Sequence, residues 1–391
     1  MLSGSDFVTE VSKKKVVIIG GGTGGVIVAN VLAHKGGTKF ADTVLLSTSD
    51  RVYYEPDNLF RLFDKKGMES QFKLIRKVVD KKVKVETATV TNIDPGKRFV
   101  KTKDGVDYPY DYLVIATGAS YDYGRVPGYK DIAHNFHEAE ATLKLREALE
   151  SFQGGNILMS IADIPFKCPV SPLEFCLMAR AYFKKRGMLD KVKFHITSPL
   201  PRLFSIENVS NKMTKRFEKS GIEIHTFFNT ETIDPEKKVV TSLEGEKLPF
   251  DLLIMVPPHN GAEFLKTSGI GDDEGWVTVD RETLRHNKFP EIFAVGDATN
   301  LPVSKAGAAA HHQAKIIGPN IASILKGEEP KKKYDGHVQC FLMTSLKTSI
   351  FLDFNYHHPP RRYGLFSNTG WYIAKRLFKP MFFRLVLSGR V

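Results

Sequence analysis

At 391 residues, with 42% hydrophobic and 26% charged residues, the chain is long enough for two or more domains with sizeable cores and needs no covalent staples. Its three cysteines, Cys168, Cys176 and Cys340, are too few and too scattered for a disulfide framework or a zinc site, which leaves them redox work, nucleophilic work or none. A formal net charge of +12 calls for an anionic partner, either nucleic acid or an acidic membrane surface.

The opening MLSGSDFVTEVSKKK lacks the apolar core of a signal peptide, and no run of about 18 apolar residues could span a bilayer, so the expectation is a protein made and kept in the cytoplasm. A buried strand over residues 16–19 then runs into Gly20, Gly22 and Gly25 in G-x-G-x-x-G spacing, with Thr23 opening a helix. In such a unit the first glycine allows the tight turn, the second lets backbone approach a pyrophosphate, and the third lets helix pack on strand. The phosphate then lies at the helix N-terminus, among free N–H groups. An acidic residue at the end of the second strand would bind the ribose, but TVLLSTSD ends its apolar run at Ser47, so a hydroxyl takes that place.

Residues 110–120, YDYLVIATGAS, form a strand closed by Thr117 and Gly118. A further strand, NILMS, leads through IADIPFKCPVSPLEF, residues 161–175, into a helix. That order normally makes a second nucleotide site, yet this turn has no glycine. A bulky Ile-Pro-Phe turn keeps a pyrophosphate from the backbone, so NAD(P)H is not the expected electron donor. The turn carries Cys168 instead, beside Lys167 and the helix opening near Ser171, both of which favour a thiolate. A buried structural cysteine is the alternative. Glu174 is either a proton carrier in a partly desolvated pocket, where burial raises its pKa, or a carboxylate favoured by the helix dipole.

KLPFDLLIMVPPHNG closes this middle region, and PEIFAVGDATN, residues 290–300, is another strand, ending in Gly296 and Asp297. His137, His195, His311 and His312 show no metal-ligand spacing and read as packed or surface histidines, with His311 and His312 pointing apart. No metal is expected. From Arg361 to Val391 there is no acidic residue; Lys375, Arg376, Lys379, Arg384 and Arg390 alternate with Trp371, Tyr372, Phe378, Phe382 and Phe383. The mixture suits a membrane interface rather than nucleic acid, with Pro380 breaking the segment into two short helices. A solvated basic tail with core aromatics gives the same pattern.

The glycine turn, ATGAS and VGDATN, in this order and at these separations, resemble the FAD-binding half of the two-dinucleotide-domain flavoproteins. That resemblance implies FAD, with Asp297 bonding the ribityl chain and the Val90 amide in VETATVTNID meeting the adenine. KCPVSPLEF, the YDG-x-x-x-C run to Cys340, the KAG of Lys305 and Gly307, and the basic aromatic C-terminus resemble the sulfide:quinone oxidoreductases over nearly the whole chain. The fold implied is α/β, with two Rossmann-like, glutathione-reductase-like domains and a C-terminal membrane-attachment segment. The FAD-binding domain would take residues 12–125 and 257–325. Residues 126–256 would form a degenerate NAD-type domain carrying Cys168, and residues 326–391 the redox-cysteine and membrane segment.

The activity implied is oxidation of hydrogen sulfide to sulfur or polysulfide through a Cys168–Cys340 relay, with electrons passing through FAD to a membrane quinone. Cys340 would be the thiolate facing the isoalloxazine, Lys305 and Gly307 would help hold the cofactor, Phe382 or Phe383 would stack on the quinone, and Lys379 would sit near its carbonyl. Many relatives carry a further cysteine shortly after the ATG-type motif; residues 121–131 have none, so the flavin is not tethered there. Cys176 reads as structural. The protein would be monotopic on the cytoplasmic face, with the lipid surface and a second copy of the chain as further candidate partners. Two alternatives stand: a type II NADH:quinone oxidoreductase, and a non-catalytic flavoprotein that docks on membranes.

Overall fold

The computed structural model describes residues 13–64 and 69–391. Residues 1–12, on which the expectation of no leader rests, lie outside the described residues.

Strand β1 (Lys14–Ile19) turns through the glycines into helix α1 (Thr23–His34), followed by β2 (Ala41–Ser47), β3 (Lys84–Thr87) and β4 (Tyr112–Ile115). The middle of the chain supplies β5 (Gly155–Ile161), helix α2 (Ser171–Lys185), β6 (Val192–Ser198), β7 (Ile222–Thr226) and β8 (Leu252–Val256). The chain then returns with β9 (Ile292–Ala294), helix α3 (Gly307–Leu325), the hairpin β10 (Val338–Met343) and β11 (Ser349–Phe354), and helix α4 (Thr369–Met381). Two parallel sheets result, in the orders β9-β4-β1-β2-β3 and β7-β6-β5-β8. Parallel strands covered on both faces need continuous apolar runs, and KKVVII and LLIMV supply them.

Helix α1 is buried over most of its length because α3 lies across it. At Gly318 of α3 an added Cβ would stand 2.7 Å from a methyl of Val31, so the crossing requires glycine. The C-terminal end closes on the same helix: Phe382, Val386 and Leu387 join the core of the first sheet, and the Asn30 amide donates to the Leu387 carbonyl at 2.6 Å. Pro380 does not divide this segment. Helix α4 runs through it, and a π-helical turn, Phe382–Val386, follows directly. The lost proline donor is accommodated by widening the last turns rather than by ending them.

Among the described residues, no helix is long and apolar enough to cross a membrane.

Candidate active site

The β1–α1 turn is shaped for close approach. Gly20 sits at φ +115°, where a Cβ would stand 2.1 Å from the Ala116 carbonyl oxygen, and a Cβ at Gly25 would stand 1.9 Å from the Gly20 oxygen. At Gly22 a Cβ would meet nothing within 4 Å, so this face of the turn is open to a ligand. Ser47 ends β2, its hydroxyl accepting from Ser49 N–H at 3.3 Å, and Val90 begins the strand Val90–Asp94. Two buried polar atoms around the cradle lack partners: Thr117 Oγ1 after β4 and Asp297 Oδ1 after β9. Buried polar groups are rarely left unpaired, so the pair fits a bound molecule with hydroxyls to offer, and the residues present fit a dinucleotide cofactor. Burial pushes the Asp297 carboxyl up to about 6 against the pull of Lys167 and Lys305.

Lys305 is buried, its ammonium donating to the Asp297 and Thr299 carbonyls at 3.0 and 2.8 Å and lying 3.7 Å from the Trp276 ring centre. Burial lowers its pKa to about 8. Its side chain therefore braces the turn that carries Asp297, while its own carbonyl accepts from the Cys168 N–H at 2.7 Å. Gly307 is the first residue of α3, 3.8 Å by its added Cβ from Thr23 Oγ1.

Cys168 takes φ +57°, a left-handed conformation that costs a residue bearing a Cβ. The turn is fixed around it. Besides the bond to Lys305, its carbonyl accepts from both the N–H and the hydroxyl of Ser171, each at 2.8 Å. The half-buried thiols of Cys168, before α2, and Cys340, in β10, pack against one apolar cluster, and both are free. Glu174, near the start of the helix that follows Cys168, accepts from Met343 N–H at the end of the strand that carries Cys340, which ties the two segments together.

The expectation of a lowered thiol pKa is corrected. Burial pushes Cys168 up to about 12, with Glu174 adding to the rise, and burial likewise pushes Cys340 well up. Lys167 does not offset this, because its ammonium pairs with Glu55 at 2.9 Å and lies 5.1 Å over the Tyr121 ring. The cation that does favour both thiolates is Lys375. Cys176 is fully buried on α2.

Glu174 accepts from the Met343 N–H at 2.7 Å and forms a buried ion pair with Lys375 of α4. It lies in the first turn of α2, where the helix dipole favours a carboxylate, and burial there is met by the Lys375 ammonium. Lys379 is paired as well: its ammonium bonds Asp57 at 2.6 Å and Ser70 at 2.8 Å, and Asp57 further pairs with Arg61 at 2.5 Å and Arg376 at 3.7 Å. Three of the cations read as facing lipid headgroups therefore face carboxylates, because Asp57 and Glu174 are buried and a buried charge requires a partner. Phe382 is buried against Tyr54, ring centres 4.9 Å apart, while Phe383 stays half-buried at 6.1 Å from the same ring. The large apolar side chains that α4 and the π-helical turn after it expose are Ile373, Leu377, Met381 and Leu385.

Sequence reasoning missed Tyr54 and Asp57, and read Lys375 as a cation of the membrane segment rather than the buried partner of Glu174. Asp57 and Tyr54 lie in RVYYEPDNLF, where only the concentration of aromatic and acidic residues marks them. A cavity of about 700 Å³ opens beside the Cys168 turn, lined by Ile164, Pro165, Phe166, His357 and His358. His311 and His312, expected to diverge, stack with ring centres 5.0 Å apart. His195 is drawn together with Glu223 and His225, a grouping whose only sequence signal is the alternation in E-I-H.

The pyridine nucleotide-disulphide oxidoreductase family matches residues 14–315. Mitochondrial sulfide:quinone oxidoreductase of Dictyostelium discoideum is 31% identical over 88% of this chain and 78% of its own, and that of Mus musculus is 28% identical over 96% and 86%. The sulfide:quinone oxidoreductase of Aquifex aeolicus superposes with a TM-score of 0.85 at 22% identity, covering 96% of this chain and 92% of that one.

Proposed function

From the premise that the chain belongs to the pyridine nucleotide-disulphide oxidoreductase family and, within it, to the sulfide:quinone oxidoreductases, we propose how its residues perform that reaction. The enzyme is a flavoprotein that oxidises sulfide and reduces a quinone. The cofactor proposed is FAD, held at Gly20, Gly22, Thr23 and Gly25, with Ser47 and Val90 toward the adenosine, and Thr117, Gly118, Gly296 and Asp297 toward the ribityl and ring end. When bound, the flavin supplies a two-electron acceptor for the sulfur pair and a donor for the quinone.

The observation that carries the reading is that Cys168 lies in a strained glycine-free turn just before α2, Cys340 in a strand whose last residue is bonded by Glu174 of α2, and one buried Glu174–Lys375 ion pair belongs to both segments. In the oxidised pair a hydrosulfide attacks one sulfur of the disulfide. The S–S bond breaks, a persulfide forms on one cysteine, and the other leaves as a thiolate carrying the electron pair. Burial disfavours that thiolate and Lys375 supports it, so the protein's contribution to this step is a cation fixed in place by Glu174. The glycine-free turn is the reason this second Rossmann-like unit serves sulfur rather than a nicotinamide.

The lipid side is proposed to be the exposed stripe Ile373, Leu377, Met381 and Leu385, one side of a helix rich in cations. Arg361, Arg362, Arg384 and Arg390 remain exposed for headgroups, at about 1 kcal/mol each near an anionic leaflet. Phe383 remains the aromatic proposed to meet the quinone, with Phe382 supporting it from the core and Lys379 held back by Asp57. The four segments of residues 12–125, 126–256, 257–325 and 326–391 are the proposed functional division. Replacing Cys168 or Cys340 by Ser tests the reading: sulfide-dependent quinone reduction should disappear while flavin content stays at the wild-type level. Full turnover in either variant removes the relay.

A further inference from the structure

Three imidazole nitrogens at one edge of the second sheet are buried and without a hydrogen-bond partner: Nδ1 and Nε2 of His195 and Nε2 of His225. For His195 Nε2 and His225 Nε2 this is a cost that the fold leaves unmet. The register brings them together. His195 on β6 stands opposite Glu223 on the edge strand β7, and residues two apart on a strand share a face, so His225 joins them. Glu223 Oε2 lies 3.3 Å from His195 Nδ1.

His225 is also oriented. Its Nδ1 bonds Glu246 Oε1 at 2.8 Å, and in the neutral ring Nδ1–H donates there, leaving the Nε2 lone pair free. A carboxylate behind the ring is the usual support of a metal-bound histidine. One ligand atom from each of His195, Glu223 and His225 lies within 4.8 Å of the others. Tetrahedral coordination at about 2.1 Å sets ligand atoms about 3.4 Å apart, a difference that small side-chain rotations cover. The Glu223 side chain is 63% exposed, which leaves the outer side open to water. Lys193 opposes a cation here, but Glu223 and Glu246 outnumber it.

We propose that His195, Glu223 and His225 bind a divalent transition metal of the zinc class, with Glu246 positioning His225 and water completing the coordination. Two histidines and one carboxylate with an open position suit zinc and exclude magnesium or calcium, which prefer oxygen throughout. The metal would tie β6 to β7 at the open edge of the sheet. This site uses none of the residues placed around the flavin or the sulfur pair.

The test is a Zn²⁺ titration of the flavin-loaded full chain, its thiols blocked with iodoacetamide, in competition with a chromophoric chelator. One equivalent should bind. Affinity should fall about tenfold or more in Glu246→Gln, and the equivalent should be lost in the His195→Ala/His225→Ala double variant, while sulfide-driven flavin bleaching in the unalkylated variants stays at the wild-type level. Should the double variant fail to fold, Glu223→Gln at its exposed position carries the same comparison. No competing equivalent in the wild type, or an equivalent bound at unchanged affinity in the histidine or glutamate variant, overturns the proposal.

Discussion

Glu174 and Lys375, 201 residues apart in the chain, form an ion pair in which both side chains are buried. Glu174 belongs to the helix that begins just after Cys168, and Lys375 to the helix that, with the π-helical turn after it, exposes the stripe Ile373, Leu377, Met381 and Leu385. The same carboxylate accepts from Met343 at the end of the Cys340 strand. One pair thus joins the two cysteines to the surface proposed to meet lipid and quinone.

Breaking that pair from one side should therefore cost both stability and function. Lys375→Met leaves a buried carboxylate without its cation, at a cost of about 3–5 kcal/mol, read as a lowered urea midpoint. The double replacement Glu174→Gln/Lys375→Met removes both charges and should recover much of that stability, yet quinone turnover should stay low because no cation then supports the cysteine thiolate. Additive losses in the double variant would mean that the two groups do not act as a pair.

The thiols set a pH dependence whose direction follows from burial. A thiol with a pKa of about 12 is ionised to about one part in ten thousand at pH 8. Because the raised value favours the protonated form, reactivity rises with pH through the whole accessible range. Iodoacetamide should label reduced Cys168 about tenfold faster per pH unit from 7 to 10, with no plateau, and Lys375→Met should slow it further. A plateau between pH 7 and 9 would show a thiolate stabilised by something other than Lys375.

Much of this was legible in the chain and some was not. The glycine turn after KKVVII and the Gly-Asp end of PEIFAVGDATN announce themselves because their chemistry lies within a few residues. The cations of the C-terminal helix do not, since which of them turn inward depends on Asp57 and Glu174, which approach only in the folded chain. Lys167 beside Cys168 in sequence suggested a lowered pKa, but a neighbour in the chain need not be a neighbour in space, and Glu55 takes its charge. The His195 grouping was hidden for the same reason: strand register, not spacing, assembles it.

The cofactor cradle makes its own prediction. Asp297→Leu removes the buried carboxylate whose Oδ1 has no protein partner, and the purified protein should lose most of its flavin, whereas Asp297→Asn keeps an acceptor and should retain more. Flavin absorbance per chain after dialysis measures this. Equal retention in both would remove Asp297 from the binding account.

At the membrane side, deletion of the segment is a poor test, because Phe382, Val386 and Leu387 belong to the core. Replacing the exposed Leu377, Met381 and Leu385 by Gln leaves that core intact. The triple variant should bind anionic vesicles at least tenfold more weakly, since each lost aliphatic contact removes about 1.5 kcal/mol or more of burial, and turn over membrane quinone slowly, with sulfide-driven bleaching unchanged. Vesicle binding equal to wild type would assign the basic balance to another partner.

The most direct measurement is anaerobic addition of sulfide to the flavin-loaded protein while its absorbance spectrum is followed, then addition of a quinone, with NADH given to a parallel sample. Sulfide should bleach the flavin within one turnover, quinone should restore the oxidised spectrum, and NADH should leave it unchanged because the turn over residues 161–175 has no glycine to admit a pyrophosphate. Bleaching by NADH, or a flavin that sulfide leaves oxidised, would contradict the account.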